Sequence, residues 1–246
     1  MDRSSLINFL ASLNNYNSYL EVGYGTGACF HAVSINQKLG IDIGYGVPKD
    51  DLFCHITTSS DLLSKNMSQG SIFTFDICFI DGSHLCEDVI EDIRSCSSML
   101  SRNGAIVLHD CLPPTEDWQL RQQSSNVPGW MGDVWRAAAS MLNTPFFKGF
   151  TVDSDCGMSV LYKTPYYHSD KLKEVQPLSI PYQEWSESCQ SIMNIIDPSQ
   201  LKAQPQNFSS SGFTAINTEV LFSKIKSAAE EKNTSEIKKL VAMLDL

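Results

Sequence analysis

The sequence predicts an α/β fold built on a doubly wound parallel sheet, and three observations predict it. Short apolar runs alternate with helix-like periodicity over the first two thirds of the chain. The first run ends in a glycine cluster, Gly23, Gly25 and Gly27. The run Ala105–Leu108 (AIVL) carries no charge, as a strand buried on both faces requires. Strands alternating with helices imply parallel pairing through right-handed crossovers.

In chain order, Tyr19–Val22, Lys38–Ile43, Phe53–Thr57, Asp76–Ile80 (DICFI) and Ala105–Leu108 read as the first five strands, the third the weakest. Little chain separates Gly27 from Asp42, so the first crossover helix spans a turn or two. Leu85, Val89, Ile93, Cys96 and Leu100 recur at helical spacing between the fourth and fifth strands. Asn103–Gly104, which tolerate left-handed geometry, close that helix. Gly132–Leu142 (GDVWRAAASML) is a helix with an Asp near its start. Phe146–Val152 and Met158–Lys163 are two more strands, joined by the turn-like DSDCG.

After Thr164 the character changes, and prolines punctuate a polar stretch. The chain therefore divides into a domain of residues 1–164 and an extension of residues 165–246. Its end, 218–246, carries two apolar stripes of helical period: Val220, Leu221, Ile225 and Ala228, then Ile237, Leu240, Val241 and Leu244. Short amphipathic helices need a surface to cover. These are expected to dock on the parent domain or to join two subunits as a homo-oligomer.

The charge balance, 18 Lys+Arg against 28 Asp+Glu for a net −10, speaks against nucleic acid and anionic membrane as partners. No apolar run reaches the roughly 20 residues of a membrane helix. The N-terminal stretch is short, broken by Asn and unlike a signal peptide. None of the eight cysteines forms a CxxC pair, so a zinc site of the usual spacing is not expected. The thiols read as free in a reducing, cytoplasmic compartment.

The chemistry-bearing residues fall at the carboxyl ends of the expected strands. In YLEVGYGTGA, Tyr24 sits among the three glycines, whose missing side chains let a ligand approach the backbone. Gly23-x-Gly25-x-x-Ala28 fits a dinucleotide turn loosely, with Asp42 at the expected distance downstream. An S-adenosylmethionine pocket uses the same turn with an acid just ahead of it, which Glu21 supplies. Asp42 is placed to accept from ribose hydroxyls. Ser60 and Asp61 follow the third strand. Asp61 either accepts from an adenine amino group or caps the helix that starts there.

FDICFIDGSH and IVLHDC form the second constellation. Asp81 ends the fourth strand, and His109 and Asp110 end the fifth, so the three converge. Two carboxylates and an imidazole suit a divalent cation, magnesium or manganese. The alternative is that Asp81 only shapes the cofactor turn and that His109 is a sheet-edge histidine. His84 opens the next helix, as a general acid or base, a fourth ligand or a helix-start residue.

EVGYGTG, GIDIG, TSSDLL, FIDGSH, NGAIVLHDCLPP and GDVWRA stand in the order that resembles class I S-adenosylmethionine-dependent methyltransferases. Over about residues 18 to 163 the chain looks most like the branch marked by IDGxH and HDxxP, related to macrocin-type sugar O-methyltransferases. The resemblance implies a seven-stranded sheet with a reversed last hairpin. It also implies cofactor contacts from Glu21, Gly23, Tyr24, Gly25, Gly27, Asp42, Ser60, Asp61 and Asp81. For catalysis it points to methyl transfer to a hydroxyl of a sugar or other small molecule, with His84, His109 and Asp110 catalytic. A metal would be held by Asp81, His109 and Asp110. The rivals are a nicotinamide oxidoreductase on the same fold, against which Glu21 ahead of the glycines and the IDGSH and LHD pair count, and a non-catalytic scaffold or partner-binding module.

Overall fold

The computed structural model describes residues 1–68, 73–203 and 205–210. The expected terminal helices, 218–246, lie outside the described residues.

An N-terminal helix that the sequence reading did not anticipate comes first, α1 (Arg3–Asn14). Asp2 caps it by accepting from the Ser5 amide at 2.8 Å, and Leu6, Ile7, Leu10 and Ala11 bury one face. Then follow β1 (Ser18–Val22), the five-residue α2 (Ala28–Ala32), β2 (Gln37–Asp42), β3 (Cys54–Ile56) and α3 (Ser59–Ser68). Next come β4 (Phe75–Ile80), α4 (Cys86–Met99), β5 (Leu100–Leu108), α5 (Val134–Leu142), β6 (Phe147–Val152) and β7 (Met158–Lys163). Residues 165–210 add α6 (Ser169–Leu172), α7 (Tyr182–Ile192), β8 (Ile195–Ile196) and α8 (Pro198–Ala203).

The sheet runs β3-β2-β1-β4-β5-β7-β6-β8. Its first five strands are parallel, and β7 runs antiparallel to both β5 and β6. The reversed hairpin is as expected. The sheet also carries an eighth strand: β8 pairs parallel with β6 at the edge. Strand order reverses direction between β1 and β4, which places a ligand crevice at their carboxyl ends.

Alternate strand residues feed two cores. Leu20, Cys78, Ile80, Ile106 and Leu108 join α4, α5 and Trp185 on one face. Tyr19, Ile77, Phe79, Ala105 and Val107 join α1, α2 and Phe30 on the other. Trp185 of α7 lies with its ring 4.5 Å from that of Trp135, and Arg136 Nη1 donates to the carbonyls of Leu178 and Ile180 at 2.7 and 2.9 Å.

Two local expectations are corrected. The α4 helix ends at Met99, not at Asn103–Gly104, because Leu100 already pairs with Phe75 in the sheet. Gly104 serves close strand approach instead: a Cβ there would stand 2.7 Å from the Asp76 carbonyl oxygen. Asp61 does not cap α3. Thr58 does, accepting from the Asp61 amide at 3.1 Å, and Asp61 lies exposed in the first turn.

Candidate active site

The turn after β1 is built around two glycines. Gly23 (φ 87°) passes so close to the β4 end that a Cβ would overlap the Asp81 carbonyl oxygen. Gly25 (φ 51°) has nothing within 4 Å of where its Cβ would be, so it fronts open space. Both φ values are ones that L side chains rarely adopt. Gly27 ends the turn and caps α2. Asp42 ties this turn to the next one: Oδ2 accepts from the Gly25 amide at 3.0 Å, and Oδ1 from the amides of Gly44 and Tyr45 at 2.7 and 2.8 Å. Beside it, Ile43 and Tyr45 are strongly exposed for apolar side chains.

Glu21 is buried beneath this turn and accepts from the Tyr19 hydroxyl. Burial pushes its carboxyl up to about 7, the Tyr19 hydrogen bond working the other way. Tyr24 packs away from the open side of the turn. Its ring fills the space beneath Gly27 and Gly40, and its hydroxyl donates to Asp51 Oδ2 at 2.6 Å. Ser60, half-buried, lies with its hydroxyl 3.1 Å from that of Thr58.

At the ends of β4 and β5 the expected residues do converge. His109 Nδ1 stands 3.2 Å from Asp81 Oδ1 and 3.1 Å from Asp110 Oδ1. His84 Nε2 stands 3.3 Å from Asp110 Oδ2. Asp110 is itself left-handed (φ 59°), a conformation Asp tolerates better than most residues and one that turns its chain sharply off the strand. His109 is 4% exposed. Burial opposes its charged form, but the adjacent Asp110 and Asp81 carboxylates outweigh that and push it up to about 10. His109 is therefore an imidazolium at neutral pH.

His84 is held from the other side. The Asp133 amide donates to its carbonyl at 3.1 Å, and Asp133 Oδ1 accepts from the Cys86 amide at 2.7 Å, which anchors the start of α4. A Cβ on Gly132 (φ 59°) would overlap the His84 carbonyl oxygen, so glycine is required there. The Trp130 ring lies 4.9 Å from the His84 imidazole, whose Nδ1 is buried without a hydrogen-bond partner.

Two residues here escaped the sequence reading, Arg3 and Asp155. Arg3 Nη1 donates to Asp81 Oδ2 at 2.5 Å, and Nε donates to Asp155 Oδ2 at 3.1 Å. Asp155 Oδ1 also stands 3.5 Å from His109 Nε2. Arg3 belongs to no local motif and Asp155 reads only as part of the DSDCG turn, so only the packing of α1 and of the β6–β7 turn brings them in.

A divalent ion on Asp81, His109 and Asp110 is the expectation that this geometry bears on. Among the described residues, Asp81, His84 and Asp110 bring one donor atom each within 4.8 Å of one another, as do His109, Asp110 and Cys156. As they stand, Asp81, His109 and Asp110 do not fit such an ion. All four carboxylate oxygens of Asp81 and Asp110 face a basic nitrogen of Arg3, His109 or His84. A groove lined by Leu39, His55, Leu62, Asn66 and Phe75 runs along the β2–β3 side of the sheet, apart from this centre. No helix among the described residues is long and apolar enough to cross a membrane.

Residues 20–111 match the model of a family described as "Methyltransferase domain". That span runs from β1 to just past β5 and contains Glu21, the glycine turn, Asp42, Asp81, His84, His109 and Asp110. No curated protein matches the chain. Among solved structures, the chain is similar to an O-methyltransferase from Bacillus cereus in complex with SAH, at 12% identity and a TM-score of 0.47 over 65% of this chain and 80% of that one. It is also similar to the O-methyltransferase TomG from Streptomyces achromogenes in complex with SAM, at 15% identity and a TM-score of 0.47 over 66% and 79%. A third is an SAH-bound methyltransferase from Podospora anserina, at 15% identity and a TM-score of 0.46 over 66% and 78%.

Proposed function

We propose that this chain transfers a methyl group from S-adenosylmethionine to a hydroxyl of a sugar or other small molecule. One juxtaposition carries the reading. An open glycine turn bonded to Asp42 abuts the β4 end at Asp81, and His109 connects Asp81 to the His84–Asp110 pair, all within the span that matches the methyltransferase-domain family.

The residues fit the cofactor where a Cβ on Gly25 would fill the cradle. Asp42 spends part of its acceptor capacity on three amides and keeps the rest for ribose hydroxyls. Ile43 and Tyr45 offer exposed apolar surface beside it for the adenine ring, with Ser60 and Asp61 as the polar groups at the start of α3. When bound, the cofactor supplies an electrophilic methyl on a sulfonium.

The rest is the work of this chain's side chains. The acceptor hydroxyl must lose its proton as it attacks. His109 cannot take it at neutral pH, because the two carboxylates keep it charged. His84 can: Asp110 orients Nε2, Trp130 lies against the ring, and Nδ1 has no other partner. His84 is thus the base, Asp110 positions it, and His109 holds Asp81 and Asp110 in place. Bringing two bound reactants together supplies much of the remaining rate.

Calorimetric titration of the full chain with S-adenosylmethionine and with NAD tests the assignment. Binding of the first alone is expected. Binding of NAD alone, or of neither, overturns it. Labelled-methyl transfer into fractionated cell extract then identifies the acceptor.

A further inference from the structure

Arg3 reaches the centre from α1, 78 residues before Asp81 and 152 before Asp155. Its place is built from several sides. Its guanidinium grips Asp155 through Nε (3.1 Å) and Nη2 (3.3 Å) and Asp81 through Nη1 (2.5 Å). Its backbone amide donates to Asp155 Oδ2 at 2.8 Å. The Met1 ammonium donates to Ser154 Oγ at 3.0 Å, and that hydroxyl donates back to the Met1 carbonyl at 2.6 Å. Asp155, Cys156 and Gly157 are all left-handed (φ 48°, 63° and 84°), so strained backbone presents the receiving carboxylate.

Three carboxylates, Asp81, Asp110 and Asp155, crowd this end of the sheet, and such a cluster requires positive charge to persist. Arg3 already takes Asp81 Oδ2 and His109 faces Oδ1, so a divalent ion at Asp81 would have to displace one of them and would be repelled by the guanidinium. A guanidinium is always charged and has a fixed fork of donors suited to bridging two carboxylates. We propose that Arg3 is the resident cation of this centre, standing between Asp81 and Asp155 where a divalent metal would otherwise bind, so that the site works without one. Arg3 is then a positioning residue: it fixes Asp81 and, through Asp155, the β6–β7 turn beside His109. The inference rests on the methyl-transfer reading for its chemistry but concerns cation occupancy, which is measured separately.

The test is Mn2+ binding to the full chain, followed by loss of the free-ion electron paramagnetic resonance signal. Wild type and R3K, which keeps the charge, should show no micromolar site. R3Q should bind Mn2+ at least about tenfold more tightly, because one fixed charge is removed from the cluster. R3Q combined with D81N should lose that gain. A micromolar Mn2+ site in wild type that D81N abolishes would overturn the proposal, as would R3Q with unchanged affinity and native circular dichroism. If R3Q does not fold, the wild-type and D81N titrations decide alone: no micromolar site supports the proposal, and one lost in D81N overturns it. The readout needs no methyl transfer, so failure here leaves the cofactor assignment to its own titration.

Discussion

His84 Nε2 lies 3.3 Å from Asp110 Oδ2, and this pair joins the start of α4 to the end of β5. The His84 Nδ1 is buried without a hydrogen-bond partner, and the methyl-transfer reading makes this imidazole the base. His84→Gln should lower kcat by about 10²–10⁴-fold, the usual worth of a general base. Cofactor affinity should stay unchanged, since His84 is on the acceptor side. Steady-state kinetics alongside calorimetry measure both. A variant of parental kcat would assign the proton to another group.

Gly25→Val should abolish cofactor binding. The new Cβ would enter the open space in front of the turn, with no atom of another segment within 4 Å. At φ 51° it would cost about 1–2 kcal/mol of backbone strain, so the variant should fold with a lower melting temperature. Unchanged affinity for S-adenosylmethionine would place the cofactor elsewhere.

The charged His109 should leave a mark on stability. Its folded-state value of about 10 stands above its ordinary 6.5. The favourable contribution is therefore complete below about pH 6.5 and is lost as pH rises through about 10. The stability difference between wild type and His109→Gln should shrink steadily over that window. Urea unfolding at a series of pH values measures it, and a difference independent of pH would show that the imidazole is neutral in the fold.

Trp185→Ala should destabilise the whole molecule. The ring is 2% exposed and rests on Trp135 of α5. Emptying such a site costs about 3–5 kcal/mol. If α7 is part of the same cooperative unit as the sheet, one shifted transition will appear. Two transitions, with only the minor one shifted, would make the segment from 165 onward an independent unit.

The parts of this fold that could be read from sequence are those whose pattern is local. β4 and β5 announce themselves because strands buried on both faces need unbroken apolar runs, and the glycines after β1 because a tight turn demands them. β8 is two residues at a sheet edge, too short to leave a pattern. The α1 stripe is narrow, and asparagine and serine dilute it. Asp81, His84, His109 and Asp110 were placed together because strand order makes their strand ends neighbours. Which pairs form was not legible: Asp110 turns to His84 through a left-handed backbone that no composition encodes. Arg3 lies outside every motif, the DSDCG pattern marks Asp155 only as a turn residue, and their pairing exists only because two distant segments pack on the same strand ends.

The close approach of Gly23 to Asp81 bears on how ligands come and go. The Asp81 amide donates to the Val22 carbonyl at 2.9 Å, the Gly23 amide to the Ile41 carbonyl at 2.9 Å, and the His109 amide to the Ile80 carbonyl at 3.1 Å. The tips of four adjacent strands are thus laced together, with no slack for a side chain between the first and third turns. The floor of the crevice moves as one piece. Ligand entry and departure are then expected to depend on segments beside this floor, such as the stretch between β5 and α5 whose Trp130 lies against His84. Turnover limited by product escape would then respond to changes in those segments and stay indifferent to the floor.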